Sequence, residues 1–142
     1  MIDRDAIEAM IPHKGAMCLW DAVTDWDGRR IRLRGRSHRD PDNPLRRGGR
    51  LNAVHLCEYG AQAMAVHGGV LGVAGGGSAK AGVLVALRDV RLCVAWIDDL
   101  PGDLVCEAEL LADSPTSQQY AFRILHDDGI IAEGRAAVML QG

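Results

Sequence analysis

The sequence predicts an α+β domain, an antiparallel sheet of about six strands wrapped around one long central helix. Three observations carry that expectation. The segment Leu51–His67, "LNAVHLCEYGAQAMAVH", is apolar at helical spacing and holds no Lys or Arg. Two strand-like segments precede it and close on an Asp-Gly turn; four more follow it, separated by turn residues. The 142 residues suit one domain, residues 1–142, with one sizeable core.

Each element has its own local reason. "DRDAIEAMI" reads as a short helix with Asp3 as N-cap, and Pro12 ends it. "AMCLWDAVTDWDG" reads as a strand that turns at Asp27-Gly28. "RRIRLRGRS" alternates, with Arg30, Arg32, Arg34 and Arg36 opposite Ile31, Leu33 and Gly35, so it is a half-exposed strand paired to the first. "HRDPDNPLRRGG" is a loop by its prolines and glycines. The central helix, about 16 residues and so roughly 24 Å long, comes next. "GGVLGVAGGGSAKAG" reads as a mobile glycine-rich connection. "VLVALRDVRLCVAWI", "DLVCEAELLAD", "QQYAFRILHD" and "IIAEGRAAVML" then form a four-strand meander.

Composition narrows the function. Hydrophobic residues make up 48% and charged residues 25%, the balance of an ordinary globular protein. No apolar run reaches the roughly 20 residues of a membrane span. The N-terminus has acids where a signal peptide needs apolar residues, so a cytoplasmic location is expected. Cys18, Cys57, Cys93 and Cys106 match no zinc spacing and read as small core residues in a reducing compartment; neither metal nor cofactor is expected. The net charge of −3 hides a basic stretch of nine arginines from Arg29 to Arg50. That stretch is either a solvated strand face or a surface that captures an acidic partner. Aromatics are 4% and none interleave with these arginines, which argues against nucleic acid.

The central helix poses the sharpest question, because it keeps an acid with no basic partner of its own. At about 100° per residue, His55, Glu58 and Gln62 fall within an arc of roughly 60°, with Tyr59 at its edge. Leu51, Val54 and Ala65 share that stripe. It reads as the wall of a mostly apolar pocket. The alternative is an edge acid paired to an arginine from another segment. A buried Glu58 would have its pKa raised by desolvation and could donate a proton near neutral pH.

Several segments, in order, resemble the hot-dog-fold β-hydroxyacyl-ACP dehydratases, and among them the dehydratase-like proteins of aryl-polyene-type pathways. "IPHKGAMCLWDAV" is similar to the family's N-terminal strand entry, "CEYGAQAMA" to its central helix with Glu and then Gln, and "LPGDLVCEAELL" and "DDGIIAEGRAAVML" to its closing strands. The familiar members carry a catalytic histidine in a loop ahead of the helix. Here that spacing lands on Pro44, and the stretch has no histidine before His55. The resemblance therefore carries over Glu58 but no loop base.

What the resemblance implies is elimination of water from a 3-hydroxyacyl thioester. Glu58 suits the acid, or an acid–base relay through water, with Gln62 orienting it. His13, His55 and His38 compete to be the base, while His67 and His126 read as surface or helix-end residues. Backbone N–H groups near Leu51–Val54, or on the "VLVAL" strand, would hold the oxyanion. Tyr59, Arg46 and Arg47 are candidate substrate-binding residues. The arginines would capture an acyl carrier protein or coenzyme A carrying the thioester. A homodimer or higher oligomer is expected. Two other functions fit the missing loop histidine: a hot-dog thioesterase using Glu58, and a non-catalytic acyl-binding partner of an active paralogue.

Overall fold

The computed structural model describes residues 1–76 and 81–141, with the Ala81 side chain left out. The order is β1 (Ile2–Asp3), α1 (Arg4–Met10), β2 (Ala22–Trp26), β3 (Arg30–Gly35), α2 (Leu56–Ala74), β4 (Ala81–Leu92), β5 (Leu104–Asp113), β6 (Ser117–His126) and β7 (Gly129–Gln141). All seven strands join one antiparallel sheet in the order β1-β2-β3-β5-β6-β7-β4. The architecture is the expected α+β one, with one strand more than expected because the two-residue β1 adds to the edge.

Local chemistry accounts for the start of the chain. The Asp3 carboxylate accepts the Ala6 N–H at 3.0 Å and caps α1. The β2–β3 hairpin closes at Asp27, whose side chain accepts the N–H groups of Arg29 and Arg30, each at 2.8 Å. β3 alternates as its sequence requires, with Ile31 and Leu33 buried and the arginines outward. The β6–β7 turn places Asp127 and Asp128 at φ 49° and 65°, the pair of positive values that a tight hairpin needs.

Two expectations are corrected. The last four strands are not a simple meander, since β4 pairs with β7 at the far edge and β5 pairs with β3. Charge matching explains the choice. β5 sets Glu109 and Glu107 opposite Arg30 and Arg32, with ion pairs of 3.3 and 2.8 Å. The apolar start of β4 has nothing to offer those arginines.

The second correction concerns α2, which begins after a 3-10 turn at Ala53–His55 and runs on to Ala74. The segment Gly68–Ala74, read as a mobile connection, is helix; the part of that connection at 77–80 lies outside the described residues. Glycine in a helix costs about 1 kcal/mol relative to alanine, and close packing offsets it here. A Cβ on Gly69 would lie 2.9 Å from the Met10 Cβ, and one on Gly60 would lie 2.6 Å from the Phe122 ring. These two glycines let α1 and β6 approach the helix.

The core fills the space between α2 and the β3-β5-β6 half of the sheet. Leu56, Tyr59, Ala63, Val66 and Val70 of the helix pack with Trp20, Leu33, Cys106, Phe122 and Ile124. Among the cysteines, Cys18 and Cys106 are buried, but Cys93 is exposed, against the expectation of four core residues. Among the described residues no helix is long and apolar enough to cross a membrane.

Candidate functional site

Helix α2 has one face that the core does not cover. Glu58, Ala61, Ala65 and Gly68 recur at intervals of three and four, so they share a side. Ala61, Ala65 and Gly68 are only half-buried, while Ala63, Val66 and His67 between them are fully buried. A cavity of about 530 Å³ lies against this face. The end of α1 and the loop after it supply Met10, His13 and Met17; the sheet supplies Leu84, Tyr120 and Leu140. The wall is mostly apolar, and its titratable side chains are Glu58, His13 and Tyr120.

Glu58 stands in the first turn of α2 and is exposed, not buried as the sequence suggested. The reason is that its helix face looks into the open cavity. Among the described residues it makes no hydrogen bond or ion pair, so it is not the arginine-paired edge acid of the alternative reading. His13 is half-buried, and its Nδ1 is buried with no hydrogen-bond partner among the described residues. A buried ring nitrogen without a partner costs about 1–3 kcal/mol unless something bonds it. A polar group of a bound ligand would meet that need.

The structure ties the other predicted residues elsewhere. Gln62 lines the cavity and makes two bonds to the backbone. Its Oε1 accepts the Leu19 N–H at 2.6 Å and its Nε2 donates to the Met17 carbonyl at 2.8 Å. It therefore clamps the chain leading to β2 onto the helix, which leaves one amide hydrogen and one oxygen lone pair spare. Tyr59 is buried away from the cavity; its hydroxyl bonds the Ser37 hydroxyl at 2.8 Å and accepts from the Asn43 amide at 3.1 Å. Burial raises the Tyr59 pKa. His55 is the N-cap residue of α2 and lies outside the cavity wall.

His38 is fully buried with its Nε2 bonded to the Leu100 carbonyl at 2.9 Å, and burial lowers its pKa. Its Nδ1 also lacks a partner among the described residues, but no part of His38 reaches the cavity.

The arginine stretch divides in two. Arg30, Arg32 and Arg34 pair with Glu109, Glu107 and Asp103, so the strand face is neutralised within the sheet. Arg46 donates to the carbonyls of Asp40, Gly49 and His38 at 2.8, 2.7 and 3.1 Å. Arg47 donates to those of Pro44 and Arg46. Both guanidinium groups fold the 38–49 loop, and neither lines the cavity. Three of the four expected oxyanion donors near the helix start are also taken: Leu51 N–H by Asp98, Ala53 N–H by the Ala95 carbonyl and Val54 N–H by Asn52.

Sequence reasoning missed Tyr120 and misplaced His67. His67 is fully buried rather than at the surface. Its Nε2 lies 2.9 Å from the Asp27 carbonyl, which can only accept, so Nε2 carries the proton in the neutral ring. Nδ1 is then the acceptor, and the Tyr120 hydroxyl donates to it at 2.7 Å. Burial lowers the His67 pKa and raises that of Tyr120. The only sequence signal for Tyr120 was its place on the apolar face of a strand, which reads as core.

Comparison with known proteins shows the family and the fold. A family model described as "ApeP-like: ApeP dehydratase" matches residues 5–141. The dehydratase heterocomplex ApeI:P from Xenorhabdus doucetiae is similar in structure, with a TM-score of 0.85 and 20% identity over 96% of this chain and 91% of that one. A hypothetical thioesterase from Streptococcus pneumoniae TIGR4, solved with coenzyme A, gives a TM-score of 0.62 and 14% identity over 85% of each chain. AziG from S. sahachiroi gives 0.60 and 16% over 84% of this chain and 89% of that one. These likenesses show the hot-dog fold. No curated protein gives a significant sequence match.

Proposed function

The chain belongs to the ApeP-like dehydratase family, and from that membership we propose that it binds a 3-hydroxyacyl thioester in the cavity beside α2 and eliminates water from it with Glu58 and His13. One observation carries the reading: Glu58 and His13 line the same mostly apolar cavity, each without a partner among the described residues for its titrating atoms. Every other candidate acid or base from the sequence is committed elsewhere or lies outside it.

The elimination is a balanced pair of proton movements. One group removes a proton from the carbon next to the thioester carbonyl. The electrons form the carbon–carbon double bond, and the C–O bond to the 3-hydroxyl breaks. A second group delivers a proton to the leaving oxygen, giving an enoyl thioester and water. A neutral imidazole suits the first task and a protonated carboxyl the second. His13 and Glu58 have those capacities, and the apolar wall around them would strengthen their action on bound substrate.

Two features support an assembled, carrier-fed protein. β4 is an edge strand with Val83, Leu84, Val85, Leu87 and Val90 all exposed. Edges of that length and character are normally covered. A second copy, or a related chain as the printed name of the ApeI:P heterocomplex describes for that protein, would cover it. Arg36, Arg39 and Arg47 are exposed and make no ion pair among the described residues. They suit capture of an acidic acyl carrier protein or of coenzyme A phosphates.

A second reading is an acyl-binding partner without turnover, favoured by the absence of any hydrogen bond between His13 and Glu58. Product analysis with 3-hydroxybutyryl pantetheine decides. We expect an enoyl thioester, at a rate that falls at least tenfold in His13→Asn. A free thiol would identify a thioesterase instead, and binding without turnover would identify the partner role.

A further inference from the structure

We propose that Gly68 fixes how long an acyl chain the site accepts: the open face of α2 is the floor of a channel that starts at Glu58 and ends at Gly68. The inference rests on the thioester-binding reading above and goes further, to the class of acyl chain.

The floor is built from small residues. Ala61, Ala65 and Gly68 follow Glu58 on one helix face, and all line the cavity. The next residue on that face is Leu71, which is not part of the wall. The small side chains therefore end where the cavity ends. The roof is apolar as well, with Leu84 from β4 and Val138 and Leu140 from β7. An apolar channel with its carboxylate at one end fits a chain that is polar at its reacting carbons and hydrocarbon beyond them.

Gly68 differs in kind from its neighbour. A Cβ on Gly69 would meet Met10 at 2.9 Å, so that glycine serves packing. A Cβ on Gly68 would meet nothing within 4 Å among the described residues. Packing among the described residues gives no reason for glycine at position 68, whereas a channel end gives one.

The length follows from helix geometry. Ten residues at 1.5 Å each place Gly68 about 15 Å from Glu58 along the axis. With carbon–carbon bonds of roughly 1.5 Å, an extended chain advances about 1.3 Å per bond. The channel thus holds about a dozen bonds. The cavity volume, about 530 Å³, lies within the usual range for small-molecule sites. Counted from the third carbon, beside Glu58, the substrate class is an acyl thioester of about fourteen carbons, rather than a butyryl-sized one.

The test compares binding of four-carbon and fourteen-carbon 3-hydroxyacyl pantetheines by calorimetry, in the wild-type protein and in Gly68→Ala and Gly68→Leu. Each methylene buried is worth about 0.8 kcal/mol, close to fourfold in affinity. We expect the wild type to favour the longer chain by at least tenfold. Gly68→Leu should cut that ratio at least tenfold, and Gly68→Ala should cut it by less. Neither change removes a packing contact, and both favour helix. Should the leucine protein fail to fold, the alanine protein still reads the ratio. A wild type without preference, or variants that leave the ratio unchanged, would overturn the channel. Binding with the expected ratios but no dehydration would overturn only the catalytic reading and leave the channel standing.

Discussion

Glu58→Gln is the substitution on which the catalytic reading turns. The change keeps the shape of the side chain and removes its titrating proton. General acid–base catalysis typically contributes about 10²–10⁴-fold, so turnover should fall at least about 100-fold. The structure also fixes the stability effect. Glu58 is exposed and has no ion pair or hydrogen bond among the described residues. What it loses is its favourable place in the first turn of α2, where a negative charge is worth about 0.3–1 kcal/mol. At roughly 3 °C per kcal/mol for a chain of this size, Tm should drop by only about 1–3 °C. Enoyl-thioester formation and thermal unfolding are measured on the same preparation. A variant that keeps near-normal dehydration would refute the assignment. A fall in Tm of about 8 °C or more would refute the structural premise that the carboxylate has no partner.

Two further predictions test the scaffold. Gln62→Leu leaves the Leu19 N–H and the Met17 carbonyl without their partner. At about 1–3 kcal/mol for each group left unsatisfied, Tm should fall by about 6–18 °C; a shift under about 2 °C would show that Gln62 is not a structural clamp. His67 and His38 both have pKa values lowered by burial, so the folded state binds their protons less readily than the unfolded state. Their contribution is intact above about pH 6.5 and is lost as pH falls below it. Melting curves between pH 7.5 and 5 should show Tm falling with acid, less steeply in His67→Gln; a flat profile in the wild type would contradict the burial argument.

The fold was legible where a residue's local chemistry matched its final environment. Asp3 caps a helix wherever it stands, and the Arg30–Arg34 alternation produces the same strand with or without its neighbours. Legibility failed where the decision was made by a distant partner. The helix continues through Gly68–Ala74 because Met10 packs against Gly69, a contact no local pattern announces. β4 goes to the far edge because β5 brings the complementary acids to β3. The same holds for the site. Glu58 stood out because it lacked a basic neighbour on its helix. Gln62, Tyr59 and His67 carry the same kinds of polar atoms, but their roles depend on partners 20 or more positions away for most of their bonds.

One helix serves two environments, and this is why a carboxylate survives in so apolar a segment. The face with Leu56, Tyr59, Ala63, Val66 and Val70 is sealed by the core. Its polar members are satisfied within the protein: Tyr59 through Ser37 and Asn43, His67 through Tyr120 and Asp27. The opposite face, from Glu58 to Gly68, borders the cavity, and there the rule reverses. Small residues leave volume, and the titrating groups of Glu58 and His13 have no partner among the described residues. A buried carboxylate in the first environment would cost several kcal/mol. In the second it remains in contact with solvent until a ligand displaces it. The apolar composition of Leu51–His67 thus reports the sealed face and the cavity wall together, and the single acid marks where they part.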